Sequence, residues 1–181
     1  VNESHPLDPI CIYGLHKSYI SQYLHFLGKK EGLKSTILRT ANLYGPHLRT
    51  NNGQYNIVNF FTDQIKARQL ITIFGRGSQL RDYVYVDDFT ELLWRAAQKP
   101  GRGRIYNIGS GRGTSLISIA RLICKANGLG SIKHEKWPSS FLQVETGDYV
   151  TDIRKIYTEI GWRPTTKLEK GIAKMLAYNK S

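Results

Sequence analysis

Three observations predict an α/β fold. Segments with helical spacing of apolar residues alternate with apolar runs of four or five residues along the whole chain. Glycine turns punctuate them at Gly32, Gly75-Arg76-Gly77 and Gly109-Ser110-Gly111-Arg112-Gly113. No internal repeat, low-complexity tract or Pro/Ser linker divides the 181 residues, so a single core with room for a small appended subdomain is expected.

The first helix spans about Ile10 to Gly32, where Ile12, Leu15, Tyr19, Ile20, Tyr23, Leu24 and Leu27 recur at i+3/i+4 spacing and Gly32 ends the pattern. Ser35–Arg39 is a short buried strand, and Ala41–Gly53 is a polar loop carrying Tyr44-Gly45-Pro46. Tyr55–Arg68 is helical, with Ile57, Val58, Phe61 and Ile65 on one face. Ile71–Phe74 and Tyr83–Val86 are strands around the Gly75–Ser78 turn, and Asp87 or Asp88 caps a helix Phe89–Gln98. Ile105–Ile108 is a strand that enters the glycine turn, after which Thr114 or Ser115 caps a helix to Ala126. A strand at Ile132–Glu135, a helix Asp152–Ile160 and a last helix Leu168–Tyr178 complete the expectation.

Composition narrows the function. Apolar residues make up 40% and charged residues 22%, which excludes a wholly disordered chain. No apolar run approaches the roughly 20 residues of a membrane span. The residues Val1 to Pro6 lack both the basic and the apolar part of a secretory signal. Cys11 and Cys124 are too few for a disulfide framework or a four-cysteine zinc site, so a cytoplasmic protein without a metal is expected. Lys and Arg number 26 against 14 acids, a net charge of +12. Such a field favours a polyanion, either nucleic acid or a small phosphorylated molecule, unless a more acidic part of the protein balances it.

Several segments carry polar groups suited to chemistry. In Tyr13-Gly14-Leu15-His16-Lys17 the phenol and the ammonium sit one helical turn apart, and a neighbouring cation favours the phenolate that an acid/base group needs. A surface coincidence gives the same spacing. Arg39 and Asn42 stand at the C-terminal end of a strand, where open α/β sheets gather ligands; a Gly-Pro turn with a self-bonded Asn fits as well. Arg81, after the glycine turn, can grip a phosphate bidentately or clamp Asp82 or Asp88. The Gly109–Gly113 segment fails G-x-G-x-x-G because position 114 is Thr, so a flexible strand-to-helix turn is expected there. His47 and His134 lack metal-ligand spacing.

The order of these motifs is more telling than any one of them. Glu3, His5-Pro6 and Pro9 lead into Tyr13-x-x-x-Lys17, followed by Arg39-x-x-Asn42-x-Tyr44-Gly45-Pro46. Then come Phe74-Gly75-x-Gly77-x-Gln79-x-Arg81-Asp82-Tyr83, Tyr106-Asn107-Ile108-Gly109-Ser110-Gly111, Asp152-Ile153-x-Lys155, Gly161-Trp162-x-Pro164 and Leu168-Glu169-x-Gly171-Ile172. Over essentially its full length the chain resembles the C-terminal part of an extended short-chain dehydrogenase/reductase, of the NAD-dependent epimerase/dehydratase family acting on nucleotide-diphosphate sugars. The resemblance implies the C-terminal part of a Rossmann-like parallel sheet plus the small α/β substrate-binding domain. About 1–40 and 82–110 would contribute to the Rossmann-like core, and the remainder of 1–181 would mainly bind substrate.

The resemblance also implies roles. Tyr13 would be the acid/base and Lys17 its partner, both contacting NAD at the nicotinamide ribose. Asn42 would meet the substrate diphosphate, and Arg81 would bind a phosphate. The loop Ala41–Pro46 would line the nicotinamide end. The family's R-x-x-D element falls on Leu142 and Glu145, so Glu145 would bind ribose hydroxyls while the usual Arg is replaced by Leu. Arg81 is then expected to carry most of the phosphate contact, unless Lys133 or Lys136 takes part of it. The implied protein is a nucleotide-sugar epimerase or dehydratase of polysaccharide precursor synthesis, of 4-epimerase type. It would be homodimeric at full length and have no nucleic-acid or membrane partner. The 181 residues contain no G-x-x-G-x-x-G to cradle the NAD pyrophosphate, and the family's catalytic Ser/Thr falls upstream of the lead-in. The chain is therefore expected to be a fragment, inactive alone. The competing expectation is a non-catalytic basic module for nucleotide sugar or nucleic acid.

Overall fold

A computed structural model describes residues 1–48, 56–142 and 145–178. Its first helix, α1 (Ile12–Lys30), opens on Cys11, whose Sγ accepts the Gly14 N–H at 3.4 Å. Lys29 and Lys30 in its last turn complement the helix dipole. This helix covers two parallel strands, β1 (Ser35–Thr40) and β6 (Arg102–Ile108), paired from Thr36–Arg104 to Thr40–Ile108. Most of the apolar residues that predicted α1 are not the ones that pack, and only Leu24 and Leu27 among them are half-buried. Ser18, Ser21 and Gly28 are buried against the strands, while Ile12, Tyr19, Ile20 and Tyr23 are exposed. Small residues face the sheet because helix and strand come unusually close. A Cβ on Gly28 would lie 2.1 Å from the Gly103 nitrogen.

The predicted loop 41–53 begins with a strand, β2 (Asn42–Tyr44), and its positions 49–53 lie outside the described residues, as does the expected helix start at Tyr55. Next along the chain are α2 (Ile57–Lys66), β3 (Ile71–Phe74), β4 (Leu80–Arg81) and β5 (Tyr83–Tyr85). Strand β2 runs parallel to β5. Helix α3 (Val86–Gln98) starts at Val86, not Phe89, and neither Asp87 nor Asp88 is its cap. Both lie in its first turn, where negative charge suits the dipole. The buried Asp88 carboxylate instead accepts the Thr165 and Thr166 N–H groups at 3.2 and 3.0 Å, tying α3 to the C-terminal segment.

Beyond β6, β7 (Thr114–Ser115) pairs antiparallel with β4, and Ser115 caps α4 (Leu116–Asn127) by accepting the Ser118 N–H. Strand β8 (Ile132–Glu135) runs parallel to β3, followed by the short α5 (Ser139–Leu142), α6 (Arg154–Ile160) and α7 (Leu168–Ala177). Asp152 precedes α6 rather than opening it. Its carboxyl is held down at about 2, chiefly by the hydrogen bond from the Arg154 side chain.

Two apolar clusters result. One gathers β3, α2, α4 and α7 around Phe61, Ile73, Ile119 and Ile172. The other joins β5, β6, α3 and α6 around Val84, Leu92, Ile108, Ile156 and Trp162. Among the described residues no helix is long and apolar enough to cross a membrane, and no group of three or more His, Cys, Asp and Glu could hold a metal.

Candidate active site

The cap at Cys11 fixes the start of α1, so Tyr13 sits in its first turn and Lys17 one turn further on. The Lys17 ammonium lies 5.5 Å from the centre of the Tyr13 ring, and the phenol is 56% exposed. Tyr13 looks into a cavity of about 830 Å³, lined also by Asn42, Arg81 and Glu145. Lys17 lines an adjoining cavity of about 300 Å³ with Ser21 and Arg39, and Tyr149 borders both. The expected site residues, which are up to 132 positions apart in sequence, therefore share one surface.

Each is held from behind. Strand β2 carries Asn42 beside β5, and the Asn42 side-chain nitrogen donates to the Asp82 carbonyl at 3.0 Å, which leaves its second N–H for a ligand. Arg81 donates to the Leu80 carbonyl at 2.9 Å and to the Gly147 carbonyl, and it forms an ion pair with Glu145. Glu145 also accepts the Gly147 N–H at 2.9 Å. Arg81 is thus a clamp on the 145–147 turn, with Glu145 as partner instead of Asp82 or Asp88. Asp82 is fully buried and serves the glycine turn. It accepts the N–H groups of Ser110, Gly111 and Thr151 at 2.7, 3.1 and 3.1 Å. Those amides could have cradled a phosphate, and the buried carboxylate occupies them, so Gly109–Gly113 is a strand-to-helix turn.

Burial pushes the phenols of Tyr44 and Tyr83 well above the ordinary tyrosine range and raises that of Tyr149. Tyr44 and Tyr83 therefore stay protonated at neutral pH, and neither can act as a base there. Arg39 is partly desolvated, which lowers its pKa against the opposing pull of Glu3; it donates to Ser21 Oγ at 3.0 Å and binds α1 to β1.

The cavity also contains residues to which motif reading gave no role, Lys133 excepted. Gln64 Oε1 and Gln79 Nε2, on residues of its wall, are buried without a hydrogen-bond partner. Lys133, Glu135 and Trp137 stand at alternate positions on and just after β8, so one face of that strand lines the cavity. That period of two was the only sequence signal for Glu135 and Trp137, whereas Lys133 is also expected from the sequence as a stand-in for the Arg that Leu142 replaces. Leu142 is exposed at the end of α5, and neither it nor Lys136 lines the cavity. For NAD, the hydroxyl of Tyr13 and the ammonium of Lys17 suit ribose hydroxyls, so the residues present fit the nicotinamide-ribose end.

The sequence and the fold are similar to those of known proteins. The NAD dependent epimerase/dehydratase family matches residues 1–109. A UDP-glucose 4-epimerase of Mycolicibacterium smegmatis is 30% identical over 185 residues, covering 99% of this chain and 57% of its own length. A dTDP-4-dehydro-6-deoxyglucose reductase of Escherichia coli is 31% identical over 176 residues, covering 97% of this chain and 54% of its own. The crystal structure of a Thermotoga maritima UDP-glucose 4-epimerase with UDP-glucose superposes with a TM-score of 0.84 at 32% identity, over 94% of this chain and 54% of that one. The chain spans about half the length of the curated relatives it matches. The Thermotoga structure and one of a Thermus thermophilus UDP-glucose 4-epimerase with NAD, at a TM-score of 0.87 and 26% identity over 98% of this chain and 56% of that one, share the Rossmann-like α/β architecture with its parallel strands. With that fold, and with a family match running unbroken from before Tyr13 to Gly109, the chain belongs to the NAD-dependent epimerase/dehydratase family.

Proposed function

We propose that this chain is the C-terminal, substrate-binding and acid/base portion of an NAD-dependent nucleotide-sugar epimerase, of 4-epimerase type. What carries the reading is one observation: Tyr13, Asn42, Arg81 and Glu145, from four separate segments, border a single cavity. Residues 1–40 and 82–110 belong with the Rossmann-like core, and the remainder mainly binds substrate.

In this reading the Tyr13 oxygen takes the proton of a sugar hydroxyl as hydride leaves the same carbon, producing a ketone. It then returns a proton to the oxygen when hydride comes back to the opposite face, which inverts that centre. Lys17 supports the phenolate and orients the nicotinamide ribose. Asn42 and Arg81 hold the diphosphate, and Glu145, already fixed by Arg81, meets ribose hydroxyls. When bound, NAD supplies the hydride acceptor and donor. The chain alone is inactive, because the pyrophosphate cradle of this family is not within its 181 residues. The full-length enzyme is a homodimer, and the exposed Ile12, Tyr19, Ile20 and Tyr23 on α1 support that assembly.

The test is product analysis. Full-length protein loaded with NAD and given UDP-glucose or UDP-galactose should interconvert the two. A 4-keto-6-deoxy product would move the reading to a dehydratase, and unchanged sugar with every nucleotide sugar tried would contradict it.

A further inference from the structure

Among the described residues, strand β6 pairs on one side only, with β1. The backbone groups of a parallel strand point alternately to its two edges. The Ile108 carbonyl accepts the Ala41 N–H at 2.7 Å on the β1 side, so Ile105 and Asn107 turn their N–H and C=O groups to the other edge. Three ionisable side chains from three separate segments meet backbone groups there. Lys155 of α6 donates to the Ile105 carbonyl at 2.8 Å, and the Glu3 carboxylate accepts the Asn107 N–H at 2.8 Å. His25 of α1 donates from Nδ1 to the carbonyl of Gly103 at 2.5 Å, where φ is +65° and the register with β1 shifts. The Lys155 ammonium is also held over the Tyr106 ring, 5.3 Å from its centre.

This edge is not covered by bulk. A cavity of about 700 Å³ opens along it, lined by Glu3, His25, Gly103, Ile105 and Lys155, so an extended segment has room to lie there. An open strand edge is a template on which another chain adds as a strand. Here an incoming strand would have to displace bonds to charged groups, which are about twice as strong as the neutral ladder bonds that replace them. It would also enclose an ammonium and a carboxylate without partners, which is costly. We propose that Glu3, His25 and Lys155 form a guard that keeps the outer edge of β6 from pairing with a strand of a second copy of this chain. The guard is independent of the reading of the active site, since none of its three residues borders the Tyr13 cavity.

Sedimentation velocity of the full-length protein over a range of concentrations tests it. The double variant His25→Phe, Lys155→Met keeps the bulk of both side chains and removes both donors. It should form species larger than any that wild type forms, growing with concentration. Lys155→Arg, which keeps a charged donor, should sediment as wild type. A damaged fold also aggregates, so hydrogen exchange reads where the copies meet. In the larger species the outward-facing Ile105 amide should exchange more slowly than in wild type, because a ladder bond forms on it. A double variant that sediments as wild type at every concentration would overturn the guard. Larger species in which Ile105 exchange is unchanged would also overturn it, since strands are then not pairing at this edge.

Discussion

Arg81 is a scaffold side chain to which the proposed function also gives a phosphate. Its guanidinium holds the Leu80 and Gly147 carbonyls and the Glu145 carboxylate, yet it borders the cavity with roughly a sixth of its side chain exposed, 17%. Sequence order identified the residue but not its partner, because Glu145 is 64 positions away and only the fold brings it near. Of the two lysines that could stand in for the Arg replaced by Leu142, only Lys133 borders the cavity. Hydrogen bonds to charged groups are each worth about 1.5–3 kcal/mol, so Arg81→Ala should weaken nucleotide-diphosphate binding about 10- to 100-fold. Lys133→Ala should cost less, because its ammonium is already paired with Glu135 at the half-exposed surface, and Lys136→Ala should change nothing. Dissociation constants for the three variants decide the matter, and an unchanged Kd for Arg81→Ala would remove its assigned role.

At the scale of elements, α1 was legible as a helix but not in its orientation. Hydrophobic spacing marks helical period, and here the face that meets the sheet is made of Ser18, Ser21 and Gly28, which carry no hydrophobic signal. Its packing depends on backbone proximity. A methyl group at position 28 would collide with the Gly103 nitrogen, and the Gly103 conformation, φ +65°, in turn lets its own backbone approach His25. Gly28→Ala should therefore destabilise the fold by about 1–3 kcal/mol, despite the better helix propensity of Ala, because the overpacked atom is backbone and cannot rotate away. A denaturation midpoint equal to or above wild type would contradict this. Strands β2, β4 and β7 escaped sequence reading for a simpler reason: with two or three residues each, they are too short to display alternation.

For the whole molecule, the α/β class and most of the helices and longer strands were legible because their apolar patterns are long enough to show a period. Motif order grouped Tyr13, Lys17, Asn42, Arg81 and Glu145 as a candidate site before any contact was visible, and the fold places all of them but Lys17 around one cavity. What the sequence could not display were the residues whose part depends on tertiary placement: Gln64 and Gln79 with their unpartnered amide atoms, and Trp137 against Gly75. Ion pairs on separate elements, such as Arg95–Glu91, Arg104–Glu159 and Lys174–Asp87, each set one base against one acid and so leave the +12 excess, which by itself suggested a polyanion, unchanged. Everything proposed for the molecule turns on Tyr13 moving a proton at the cavity it borders. Steady-state kinetics of Tyr13→Phe in the full-length protein measure this directly. A positioned acid/base group contributes about 10²–10⁴-fold, so kcat should fall by that factor while KM for the nucleotide sugar stays nearly unchanged. Retention of more than about a third of the wild-type kcat would contradict the role of Tyr13, because losing a group that moves a proton in the transition state cannot leave the rate so nearly intact.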